Sequence, residues 1–116
     1  MERSVAVSAP VFQMKAELFK ALSHPARVRV LELLVEGERP VSELLSATGM
    51  EASHLSQHLG VLRRARVVTA RRGGNTVVYR LASDAIVEML AAARQFLLNV
   101  AEGERTALSD TLEELA

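Results

Sequence analysis

With 116 residues, 14 basic and 14 acidic side chains, and 49% hydrophobic residues, the chain has the size of one small domain and no net charge. The absence of cysteine excludes disulfides, thiolate metal ligands and thiol redox switches. No apolar run approaches the roughly 18 residues of a membrane span, and the first residues lack the apolar stretch of a signal peptide, so a soluble, cytoplasmic protein without membrane attachment is expected.

Residues 1–9 are small and read as a flexible N-terminal arm. A first helix is predicted from about Pro10 to Leu22, where Val11, Met14, Leu18 and Leu22 recur at three-to-four-residue spacing and Phe19 widens the stripe. Ser23-His24-Pro25 interrupts it, because a proline restricts the residue before it yet suits a first helical turn. A second helix then runs from Pro25 to about Val35 with Val28, Leu31 and Leu34 inward, and Gly37 ends it. A short third helix fits Val41 to Ala47. Thr48-Gly49 turns the chain into a fourth helix from about Glu51 to Arg64, in which Leu55, Leu59 and Leu62 form the inward stripe. Two short helices joined by a glycine-containing turn form a helix-turn-helix.

Val67-Val68-Thr69 and Val77-Val78-Tyr79 are β-prone, and Gly73-Gly74-Asn75 between them permits a hairpin reversal. A last long helix begins near Ser83 or Asp84 and passes through Ile86, Met89, Leu90, Ala93, Phe96, Leu97 and Val100. Residues 10–102 are thus read as one domain, and 103–116 as an acidic tail with a short helix. The predicted class is mainly α with a small β-hairpin, in the order α1-α2-α3-α4-β1-β2-α5. Only Phe12, Phe19, Phe96 and Tyr79 are aromatic, so the core must be built from Leu, Val and Ala. The apolar surfaces of the first and last helices exceed what such a core needs, and a dimer through these helices is expected, with Val11, Met14, Leu18, Leu90 and Leu97 in the interface.

Zero net charge conceals a polar pattern. Residues 52–81 carry six arginines (Arg63, Arg64, Arg66, Arg71, Arg72, Arg80) and no acid, whereas the chain from Ser83 onward has seven acids against Arg94 and Arg105. A local basic field attracts a polyanion whatever the total charge. A polar helix followed by a basic hairpin is the layout needed to place a helix in a DNA major groove and a wing on the flanking phosphates.

Three stretches carry a family resemblance: Ala21-Leu22-Ser23-His24-Pro25-Ala26-Arg27-Val28-Arg29-Val30-Leu31, then Ser53-His54-Leu55-Ser56-Gln57-His58-Leu59 with Leu62-Arg63, then Arg71-Arg72-Gly73-Gly74-Asn75 with Val78-Tyr79-Arg80-Leu81. In this order, over about residues 14–100, they resemble the ArsR/SmtB family of winged helix-turn-helix transcriptional repressors. The resemblance implies a homodimer through the first and last helices that binds an operator in double-stranded DNA and is released by an effector.

Short polar and amide side chains in the N-terminal half of a recognition helix read base edges, because the groove admits the helix but little extra bulk. Ser53, His54, Ser56 and Gln57 fit that description, with Gln57 the best candidate for a bidentate contact to adenine. Arg63, Arg64, Arg71, Arg72 and Arg80 are expected on phosphates or in the minor groove. Arg66 is as readily an internal ion-pair partner. Metal-sensing relatives use third-helix cysteines or last-helix histidines. Neither is present here, so no metal site and no cofactor are expected, although His54 and His58 stand one turn apart. No nucleophile or phosphate-cradling loop supports catalysis. The effector is left open, and the competing reading is a winged-helix protein that acts through a protein partner, with weak or partner-dependent DNA binding.

Overall fold

The computed structural model describes residues 9–115, so the expected arm lies, apart from Ala9, outside the described residues. The chain divides at Ser83/Asp84 into two compact units. The first holds helices α1 (Val11–Ala21), α2 (Pro25–Val35), α3 (Val41–Thr48) and α4 (Ala52–Arg64), with strands β1 (Arg39–Pro40), β2 (Val68–Gly73) and β3 (Thr76–Leu81). The second is helix α5 (Asp84–Leu115).

Helix α2 starts where the imidazole of His24 caps it, Nδ1 accepting from the Ala26 N–H at 3.1 Å, with Pro25 at the first position where no N–H is required. It packs against α3, α4 and β3. Burial on several sides explains why Val30, Leu31, Leu33 and Leu34 are all buried while Val28 is only half-buried, a wider set than one amphipathic stripe predicts. Leu44 of α3, Leu55, Leu59 and Leu62 of α4, and Val67, Val68 and Tyr79 complete this core.

The hairpin is part of a three-stranded antiparallel sheet in the order β1-β3-β2. The added strand, Arg39–Pro40 pairing with Tyr79 and Val78, was not predicted. It is two residues long, and its proline is tolerated because an edge strand leaves the missing N–H unneeded. Arg39 ties the strand down: its Nε donates to Leu33 O at 3.0 Å, near the end of α2, and its other nitrogens reach Glu36 at 2.7 Å and Glu43 at 3.4 Å. At the wing tip Gly73 pairs with Thr76, so the turn is the two residues Gly74-Asn75, with positive φ (71°) at Gly74.

Helix α5 departs from expectation in length. It runs unbroken for 32 residues, about 48 Å at 1.5 Å per residue, where a helix ending near Val100 and a separate short tail helix were predicted. None of its residues is buried. Among the described residues no helix is long and apolar enough to cross a membrane.

Candidate nucleic-acid interface

The helix-turn-helix is α3, the residues Gly49–Glu51, and α4. Gly49 supplies the left-handed conformation (φ 70°) that ends α3, its N–H donating to Leu45 O at 2.9 Å. Thr48 tightens the turn: its hydroxyl donates to Leu44 O at 2.7 Å and accepts from the Met50 N–H at 3.3 Å.

Helix α4 is anchored along one line, Leu55, Leu59 and Leu62 being no more than 2% exposed. At about 100° per residue, Ser53, Gln57 and Arg64 fall on the opposite line. His54 and Ser56 lie on its two flanks. All four predicted base-reading residues, Ser53, His54, Ser56 and Gln57, are exposed. His54 stands 3.8 Å from the Glu51 carboxylate one turn earlier.

His58 belongs to a different environment. Its Nδ1 accepts from Arg27 Nη1 at 3.3 Å, and its ring centroid lies 4.4 Å from that of His24. The same Arg27 donates through Nε to Ala21 O at 2.6 Å, so one guanidinium joins the end of α1 to α4. Burial foremost, then the neighbouring His24, Arg27 and His54, lowers the His58 pKa from its ordinary value of 6.5. Among the described residues no group of three His, Asp or Glu side chains is arranged to hold a metal ion. Sequence reasoning missed this His24–Arg27–His58 cluster, whose members come from two separate motifs.

The far end of α4 closes on a Schellman turn. Arg66 N–H donates to Arg63 O and Val67 N–H to Leu62 O, both at 3.0 Å, with Arg66 at φ 63°. Leu62 and Val67, the two positions whose apolar side chains commonly meet across such a turn, are both buried. Arg66, for which an internal ion pair stood open as an alternative to a phosphate contact, has no ion-pair partner among the described residues; Arg63, Arg64 and Arg72 likewise have none there. Gly60 gives Arg64 room to fold back, its Nη1 lying 3.2 Å from where a Cβ on Gly60 would stand.

On the wing the arginines separate. Register pairs Thr69 with Arg80 and Arg71 with Val78, placing Arg71 and Arg80 on one face, while Arg72, opposite Val77, shares the face of the buried Tyr79. Arg71 and Arg72 therefore stand beside the tip on opposite faces of the ribbon. Arg80 Nε donates to Thr69 Oγ1 at 3.2 Å, and Arg71 is held by Glu38 at 2.5 Å, a restraint that its position in sequence does not show. Among the described residues, Arg72 is the one wing arginine without a hydrogen-bond or ion-pair partner.

Residues 24–70, from the cap of α2 into β2, match the model of the arsR family of bacterial regulatory proteins. An HTH-type transcriptional regulator of Mycobacterium tuberculosis, Rv0081, is 55% identical over 104 residues, 89% of this chain and 91% of the relative. Its crystal structure superposes with a TM-score of 0.77 over 84% of this chain and 98% of that one, at 56% identity. The solution structure of the homodimeric winged helix-turn-helix DNA-binding domain Mb0332 of Mycobacterium bovis gives a TM-score of 0.70 at 31% identity, covering 84% of this chain and 86% of that one. The crystal structure of the transcriptional repressor BigR of Xylella fastidiosa gives 0.69 at 35% identity, covering 83% and 96%. The chain accordingly belongs to the ArsR family: it is a sequence-specific, winged helix-turn-helix DNA-binding regulator of transcription, not an enzyme.

Proposed function

We propose that the protein is a cytoplasmic repressor that binds an inverted-repeat operator as a homodimer. Ser53, His54, Ser56 and Gln57 read base edges. Arg63 and Arg64, with Arg71, Arg72 and Arg80 of the wing, engage phosphates or the minor groove. The observation that carries this reading is the two-sided build of α4: one line of leucines fixes the helix to the core while the four polar side chains on the remaining faces stay exposed.

Dimerisation is inferred from apolar surface that each unit leaves uncovered. Val11 and Met14 on α1 are more than half exposed, as is Leu97 on α5, with Leu18 and Leu90 half-buried beside them in sequence. A second copy covering this surface would form an obligate interface, typically above about 2,000 Å². The homodimeric Mb0332 domain and the repressor BigR support the assembly and the sign of regulation by likeness. Footprinting on the region upstream of the protein's own gene tests the reading. Two protected half-sites centred about 34–36 Å apart are expected; a single short protected segment contradicts it.

A further inference from the structure

In the first unit, α1, the start of α2 and the end of α4 enclose an open groove of about 690 Å³. That volume lies within the roughly 300–1,000 Å³ of small-molecule sites. Val61 of α4 contributes an apolar wall together with Met14 and Leu18 of α1, which border the surface assigned above to the second copy, whereas Lys20, Arg27, Arg64 and Arg66 line the groove with positive charge against the single acid Glu17. Lys20, Arg64 and Arg66 have no ion-pair partner among the described residues. Arg27 uses Nε and Nη1 on Ala21 and His58, with no acceptor on Nη2 among the described residues. Arg66 is fixed in the lining by a left-handed backbone that an arginine rarely adopts. Unpaired cations beside an apolar wall match a ligand with an anionic head and an apolar body, since either feature alone would leave half of the lining unmatched.

We propose that this groove binds a small amphiphilic carboxylate. A second cavity of about 420 Å³ shares Arg27, Val61 and Arg64 with it and extends to Ser56 and Gln57 on the recognition helix. A carboxylate paired with Arg64 withdraws that guanidinium from phosphate, so the ligand and the operator compete for one side chain. This consequence rests on the DNA-binding role assigned to Arg64; the ligand site does not.

Calorimetric titration of the full chain without DNA separates the two. Sodium decanoate, below its micellar concentration, is expected to bind saturably. Acetate, which lacks the apolar body, and decyltrimethylammonium, which reverses the charge, are expected not to. Lys20→Glu combined with Arg66→Gly should weaken decanoate at least tenfold while circular dichroism stays that of the wild type, and Lys20→Glu alone should give part of that loss. Absence of saturable decanoate binding, comparable binding of decyltrimethylammonium, or unchanged affinity in the double variant overturns the site. With a labelled operator duplex present, decanoate should displace the wild-type protein and leave the double variant bound; equal displacement of both overturns the competition.

Discussion

Arg27 of α2 and His58 of α4 are joined across 31 positions of sequence by a 3.3 Å hydrogen bond, the guanidinium Nη1 donating to the imidazole Nδ1. An arginine only donates, so this bond requires an unprotonated Nδ1. Protonating His58 breaks it and sets a second positive charge beside Arg27, next to His24 and His54. Because the folded pKa lies below the unfolded value of 6.5, the unfolded chain takes up the proton first. The stability from this site is complete above pH 6.5 and is lost as pH falls from there through the lowered folded pKa. Thermal melts between pH 8 and pH 5 should show this loss, and His58→Gln should flatten it. An equally steep decline in the variant would assign the dependence to other groups.

Gln57 is exposed and lies opposite the leucine line of α4, and its amide is the group proposed above for a base contact. Gln57→Ala is expected to reduce discrimination between operator and mutated operator by about 1–3 kcal/mol. Competition binding with the two duplexes measures it, and an unchanged preference removes Gln57 from the readout.

The wing arginines should not behave alike. Arg72→Ala is expected to weaken binding to every sequence and to lower the slope of log affinity against log salt by about 1, as for one lost phosphate contact. Arg71 must first leave Glu38, an exposed pair of the kind worth about 0.2–1 kcal/mol. Glu38→Gln should therefore tighten DNA binding about twofold, the scale of that pair. Weakened binding in the Glu38 variant would show that the pair instead positions Arg71 for DNA.

Arg66 holds the left-handed position of the Schellman turn that joins α4 to the wing. Glycine adopts that conformation without the Cβ penalty, so Arg66→Gly should stabilise the fold by about 0.5–1 kcal/mol in urea denaturation. Arg39→Ala should do the reverse, by about 1–2 kcal/mol, because Leu33 O near the end of α2 loses its charged donor.

The sequence was most legible where one local rule sufficed. Pro25 marked the start of α2, three leucines marked the inward line of α4, and Gly73-Gly74-Asn75 marked the wing turn, of which Gly73 proves to be the last paired residue of β2. Misses arose where a distant partner decides the outcome. Strand β1 exists only because Tyr79 and Val78 lie beside Arg39 and Pro40. The His24–Arg27–His58 cluster and the Glu38–Arg71 pair are likewise contacts between separate elements. The unbroken length of α5 was also missed: the helix continues through Gly103, whose cost of about 1 kcal/mol is too small to break a helix with flanks rich in Ala, Glu and Leu and carrying the Glu102–Arg105 pair.

The central claim, that a homodimer places two copies of α4 and its wing on one operator, is tested most directly by sedimentation of the protein with a labelled duplex from the region upstream of its own gene. The account predicts a dimer at micromolar concentration, two chains per duplex, and loss of both dimer and tight binding in Leu97→Glu although α4 and the wing are untouched. A wild-type chain that sediments at 12.6 kDa and binds that duplex no better than unrelated DNA would contradict it.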